Sequence, residues 1–141
     1  MTRYFDASAW TKRYIDEPGT DAVVGLAEGA VLATSRLTMV EVSSALLRRK
    51  REGTVGAAVC DEQLARLRSE LLTVEVVELD LVVAEAATAT LQRHALRAGD
   101  AIQLASALHL RRRMRGPIEF ICFDQRLNEA ARAEGLLTPV S

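Results

Sequence analysis

Apolar positions along the chain fall into two rhythms. Short runs dominated by apolar and β-branched residues predict strands, and longer stretches with apolar residues three and four apart predict helices. Thr2-Arg3-Tyr4-Phe5 predicts a strand that runs directly into Asp6, and residues 7–14 a helix with Trp10 and Tyr14 one turn apart. The turn Glu17-Pro18-Gly19-Thr20 restarts a helix over 21–28, with Val23, Val24 and Ala27 apolar and Gly29 as its C-cap. A second strand spans 30–34. Ser35 and Thr38 are both candidate N-caps of the next helix, and Thr38-Met39-Val40-Glu41 has the form of a capping box. That helix runs to Arg51 and ends at Gly53. Val55, Val59, Leu64, Leu67 and Leu71 mark a helix over 54–72, followed by a strand over 74–79 and a helix over 81–93 capped by Asp80. The stretch from Asp100 to about Met114 predicts a helix whose small apolar face is Ala101, Leu104, Ala105 and Leu108, stopped by Gly116-Pro117. Residues 118–123 form the most strand-like run and end in Asp124. A helix over 125–133 stops at Gly135, and 136–140 adds a short final strand.

Strands alternating with helices across short connections, without a Pro/Gly-rich linker or repeat, point to one α/β domain over 1–141. Its expected form is a three-layer α/β/α arrangement around a largely parallel sheet of four to five strands. Composition alters this little. The chain has 141 residues, 49% apolar and 26% charged, an ordinary globular balance with room for one core. Its net charge of −1 gives no bulk attraction for a polyanion, so such a partner would need a local basic patch. Lys occurs only at Lys12 and Lys50, and Arg supplies the rest. Cys60 and Cys122 form no CxxC pair and read as buried thiols. His94 and His109 are too few for a histidine-rich zinc site. The start has no long apolar signal region, and the apolar stretch 74–87 is broken by Glu75, Glu78, Asp80 and Glu85, so the expectation is a cytoplasmic protein without membrane spans.

The informative residues are acids. Two strands end in one, Phe5-Asp6 and Phe123-Asp124, and two more acids, Glu41 and Asp100, open helices that follow loops. Open parallel sheets bind ligands at the carboxyl ends of their strands, near a switch in strand order, and helices start on that same edge. Asp6, Glu41, Asp100 and Asp124 can therefore converge there. Each also has a local role open to it, as N-cap, capping-box partner or first-turn charge. Two carboxylates about 4 Å apart repel by on the order of 4 kcal/mol at an effective dielectric near 20. Only Arg97 and Arg126 adjoin the four in sequence. A hard divalent ion with oxygen ligands, Mg²⁺ or Mn²⁺, is the natural neutraliser, and it suits phosphodiester cleavage by an activated water.

Tyr4-Phe5-Asp6-Ala7-Ser8-Ala9, Thr38-Met39-Val40-Glu41-Val42, Gly99-Asp100-Ala101-Ile102-Gln103-Leu104-Ala105 and Phe123-Asp124-Gln125-Arg126 resemble, in order, the acidic motifs of PIN-domain nucleases. Length and element order are similar to the VapC-type toxins of toxin–antitoxin pairs. The resemblance implies a Mg²⁺- or Mn²⁺-dependent endoribonuclease, held inactive by a VapB-like antitoxin and homodimeric. It implies Asp6, Glu41 and Asp100 as metal-coordinating acids, with Asp124 as a fourth. Ser8 matches a hydroxyl residue near the first acid, and Asn128 lies where some members carry a further acid.

Arg48-Arg49-Lys50-Arg51 and Arg111-Arg112-Arg113 close the helices that carry Glu41 and Asp100. They complement the helix dipoles, and they lie too far from the acids to be assigned to the scissile phosphate; flanking RNA or acidic antitoxin residues are open to them. Arg36 is better placed to meet RNA near the metal, followed by Arg97 and Arg126. The helices over 38–51 and 54–72 form an expected hairpin whose apolar points include Leu46, Leu47, Val55 and Val59. Phosphoaspartyl chemistry is disfavoured because Asp6-Ala7-Ser8 lacks a second acid two positions on, and a receiver-like domain because no Lys follows Lys50. A non-catalytic binding module acting through partner helices is the alternative reading.

Overall fold

The computed structural model of the chain describes residues 1–140. In order the elements are β1 (Thr2–Phe5), α1 (Ala7–Thr11), α2 (Thr20–Ala27), β2 (Val31–Ser35), α3 (Arg36–Arg51), α4 (Ala57–Glu70), β3 (Glu75–Val77), α5 (Leu81–Arg93), α6 (Ala98–Met114), β4 (Ile118–Ile121) and α7 (Gln125–Ala133). The strands form one sheet in the order β3-β2-β1-β4, and every pairing is parallel. Tyr4 stands opposite Ala33 on one side and Phe120 on the other. Helices cover both faces, giving the expected three-layer α/β/α arrangement with four strands.

Alternation along β1 sends successive side chains to opposite faces. Tyr4 enters a core with Val83 and Ala87 of α5, Leu104 and Leu108 of α6, and Leu127 and Ala131 of α7. Phe5 enters a second core with Trp10 of α1, Val23 of α2, Val42 and Leu46 of α3, and Leu67 of α4. The Tyr4 and Phe120 rings stack at 5.6 Å between centroids, and the Phe5 and Trp10 rings meet edge to face at 6.0 Å. Fully burying one such side chain contributes roughly 1.5–3 kcal/mol. The residues immediately before Asp6 are thus fixed from both sides.

Several boundaries differ from the sequence expectation, each for a local reason. Ser35 caps α3, its hydroxyl accepting from the Leu37 N–H at 3.1 Å, and the Thr38/Glu41 capping box does not form. Thr38 lies inside the helix, fully buried, with its hydroxyl drawn to partners on other elements. α1 ends at Thr11 because the chain tightens into turns closed by Arg13 N–H to Trp10 O and Tyr14 N–H to Thr11 O. That still brings the Trp10 indole N–H to the Tyr14 hydroxyl at 3.0 Å. α4 begins at Ala57 behind Gly56, three residues later than expected, and β3 is the three-residue strand Glu75–Val77. β4 ends at Ile121, ahead of Phe123. The anticipated final strand is a single parallel bridge between Glu119 and Leu137.

α6 is the most enclosed helix. Its anticipated apolar face is buried, and so are Gln103, Ser106, Ala107 and Leu110. It packs on α5 and the sheet and touches α3 and α7. Cys60 and Cys122 are both buried free thiols. No helix among the described residues is long and apolar enough to cross a membrane.

Candidate functional site

The strand order reverses at β1, with β2 and β3 on one side and β4 on the other. That switch point is where an open parallel sheet leaves a crevice at its carboxyl edge. Asp6 follows β1 and Asp124 follows β4 on this edge, and α3 and α6 begin beside them, carrying Glu41 and Asp100.

Asp6 is 4% exposed and caps α1, its Oδ1 accepting from the Ala9 N–H at 2.9 Å. The Ser8 hydroxyl donates to the same carboxylate at 3.2–3.3 Å. Burial pushes the Asp6 carboxyl up to about 6, against the pull of the Ala9, Cys122 and Ser8 contacts, and the charge of Asp100 pushes the same way. Partial burial also raises the Asp100 carboxyl; Arg97 opposes this and Asp124 adds to it. Glu41, at the open mouth, is raised by desolvation and then by Asp100, with Arg97 opposing. Asp100 is therefore the hub, electrostatically coupled to Asp6, Glu41 and Asp124. Gly99 permits one of these approaches, since a methyl at that position would stand 3.2 Å from Glu41 Oε1. Asp124 caps α7 through the Leu127 N–H at 2.9 Å.

Two clefts flank the acids. One of about 660 Å³ is lined by Leu96, Arg97, Asp100, Asp124, Gln125, Arg126 and Glu129. The other, about 330 Å³, runs between α1 and α3 from Ser8 and Glu41 to Arg48 and Arg49. Arg97 Nε lies 3.8 Å from Asp100 Oδ2, and its side chain is otherwise in solvent. Arg126 lines the larger cleft. Arg36 is instead turned to Glu78, its Nε and Nη2 donating to the two carboxylate oxygens at 2.9 and 2.7 Å. Asn128 is buried, and its Nδ2 donates to the Cys122 and Val140 carbonyls at 2.7 and 2.9 Å, bracing the chain around Asp124. Arg49 is held by Glu17 at 3.0 Å.

The donor set is uniformly hard oxygen, which suits Mg²⁺ or Mn²⁺. Among the described residues no three His, Cys, Asp or Glu side chains form a ready-made cage. Cys122 lies beside Asp6 and Asp124, but burial first and then the Asp6 charge keep its thiol protonated. It is neither a nucleophile nor a soft ligand here.

The sequence reading missed the polar groups beneath the acids: Tyr4, Thr34 and Gln103, with Thr38 taken as a cap. Their signal was a polar residue set one turn from an acid on an otherwise apolar helix, as Gln103 is from Asp100.

The sequence model of the PIN domain matches residues 3–133. Ribonuclease VapC45 and Ribonuclease VapC49, from two strains of Mycobacterium tuberculosis, are each 32% identical over 135 residues, covering 94% of this chain and 90% of the relative. A solved toxin–antitoxin complex from Klebsiella pneumoniae shares the fold, with a TM-score of 0.68 at 22% identity over 99% of both chains. Four acids on one sheet edge, a family match across nearly the whole chain and relatives of this similarity agree: the chain belongs to the PIN domain family.

Proposed function

We propose that this protein is a Mg²⁺- or Mn²⁺-dependent endoribonuclease and the toxin of a type II toxin–antitoxin pair. The observation that carries the reading is the placement of Asp6 and Asp124 after β1 and β4 at the switch point of the sheet, with Asp100 lining the same cleft as Asp124 and Glu41 lying against Gly99 beside it. Asp6 and Asp100, with Glu41 and Asp124 at either side, would hold the ion. When bound, it supplies Lewis acidity to a phosphodiester and to the water that attacks it.

The chain's own groups do the rest. The Ala9 N–H and the Ser8 hydroxyl fix the Asp6 carboxylate. Arg97 and Arg126, on the rim of the larger cleft, meet RNA phosphates on either side of the scissile bond. Neither cleft beside the acids is lined by a histidine, so the acids work without a histidine base. Attack by water with departure of the 3′-oxygen leaves 5′-phosphate and 3′-hydroxyl ends and needs no covalent intermediate. The VapC ribonucleases and the toxin–antitoxin complex among its relatives support a VapB-like antitoxin as partner. The exposed Val40 and Leu47 beside the α3/α4 groove are apolar surface for such a partner or for a homodimer.

The test is cleavage of RNA by protein purified free of partner. Cleavage should require Mg²⁺ or Mn²⁺, stop on chelation, and fall at least 100-fold in Asp100→Asn with the circular dichroism spectrum unchanged. Cleavage that survives thorough chelation would remove the metal from the reading. Absence of cleavage at any metal concentration would favour a non-catalytic binding module.

A further inference from the structure

Under the four acids lies a chain of buried polar side chains that the reaction does not use. Tyr4 Oη donates to Gln103 Oε1 at 2.6 Å, and Gln103 Nε2 donates to Thr38 Oγ1 at 3.1 Å. The Thr38 and Thr34 hydroxyls are 2.7 Å apart, and the Thr34 hydroxyl lies 2.8 Å from the Phe5 carbonyl. Each hydroxyl has one proton. The Phe5 carbonyl can only accept, so Thr34 donates to it, and the proton between the two threonines must come from Thr38. All four contacts are then satisfied in one direction, from Tyr4 through Gln103, Thr38 and Thr34 to the Phe5 carbonyl. Reversing the Gln103 amide would use the Thr38 proton on Gln103 and leave one threonine contact without a proton. Tyr4, Thr34 and Thr38 are fully buried and Gln103 is 2% exposed.

The placement of these residues links the chain to the site. Tyr4 precedes Asp6 by two residues on β1, Thr38 precedes Glu41 by one turn of α3, and Gln103 follows Asp100 by one turn of α6. The last acceptor belongs to the residue immediately before Asp6. The chain thus joins the three elements that present Asp6, Glu41 and Asp100, one helical turn from Glu41 along α3 and from Asp100 along α6. A core needs no such group for stability, because replacing both partners of a buried hydrogen bond with apolar groups of the same shape is close to neutral. What directional bonds add is a fixed distance and rotation between elements.

We propose that the Tyr4–Gln103–Thr38–Thr34 chain is the spacer that sets the separation of Asp6, Glu41 and Asp100, making Gln103 and Thr38 positioning residues for the divalent ion. This rests on the metal-dependent reading of the site. Outer groups that orient metal ligands typically govern affinity by 10- to 100-fold.

The experiment is titration of the metal-free protein with Mn²⁺, followed by electron paramagnetic resonance of the free ion, for wild type, Thr38→Val, Thr38→Ser and Gln103→Met. Thr38→Val keeps the shape and removes the hydroxyl; Thr38→Ser restores it. The expected result is a dissociation constant raised about tenfold in Thr38→Val and Gln103→Met, recovered to within threefold in Thr38→Ser, with cooperative melting in all four. Wild-type Mn²⁺ affinity in folded Thr38→Val and Gln103→Met would overturn the spacer. Should Thr38→Val fail to fold, Gln103→Met against wild type decides on the same terms. Failure of the wild-type protein to bind Mn²⁺ would overturn the metal reading itself, a result separate from any difference among the variants.

Discussion

Asp6 has two demands on one carboxylate. It is buried where it caps α1 at the floor of the crevice, yet the proposed cation would need it ionised. Burial raises its affinity for the proton, to a pKa of about 6 from the ordinary 3.8. The folded state therefore holds this proton more tightly than the unfolded chain, and the sign follows. The favourable contribution is complete below the unfolded value and disappears as pH rises through about 6. Metal-free wild type should accordingly lose about 1–3 kcal/mol between pH 3.5 and pH 7.5 through this one group. Asp6→Asn keeps an acceptor for the Ala9 N–H and removes the titration. Urea unfolding without metal should show Asp6→Asn more stable than wild type at pH 7.5 by that margin and level with it at pH 3.5. Equal stability at both pH values would mean that Asp6 carries no burial penalty. In Mg²⁺ the order should narrow or reverse, because only the wild-type carboxylate gains a counter-charge.

At the scale of elements, the acids are also helix hardware, and the two roles can be separated at α7. Asp124 accepts from Leu127 N–H, and losing an N-cap costs about 1 kcal/mol. Asp124→Asn should therefore melt like wild type and Asp124→Ala several degrees lower, while both cleave RNA at least tenfold more slowly. If only the alanine variant slows, Asp124 acts as a cap alone. Element types were legible in the sequence because each carries its own periodicity, and Asp6, Asp80 and Asp124 declared themselves as caps. The start of α3 was not. Thr38 and Glu41 fit the capping-box letters, but Thr38 finds a better partner in Gln103, far along the chain, and no local pattern reveals that. Burial around α6 was likewise wider than its stripe of Ala and Leu, because the helix is enclosed by the sheet, α5, α3 and α7 rather than laid on one surface. The buried Gln103 and Ser106 interrupt the stripe and hid this.

Across the whole molecule, the convergence of the acids was legible because topology alone brings it about. Parallel strands end on one edge and α3 starts there directly after β2, while α6, which follows α5, starts there because its far end must feed β4 at the opposite edge. The fine placement of side chains was not legible: Arg36 is turned to Glu78, and Asn128 faces inward to brace backbone carbonyls. The same topology couples the site to global stability. An ion bound only by the folded chain stabilises it by about 2.7 kcal/mol at one hundred times its dissociation constant. Mg²⁺ should therefore raise the melting temperature of wild type by several degrees and leave that of Asp100→Asn unmoved, as read by calorimetry; an equal shift in both would place the ion elsewhere. Gly99 shows how finely the two properties are set against each other. Alanine there would improve helix propensity by up to about 1 kcal/mol, while its methyl would meet Glu41 Oε1 at 3.2 Å and press that carboxylate out of its place beside Gly99. Engineering this protein for heat resistance alone would favour the alanine and give a hardier protein with a poorer catalyst.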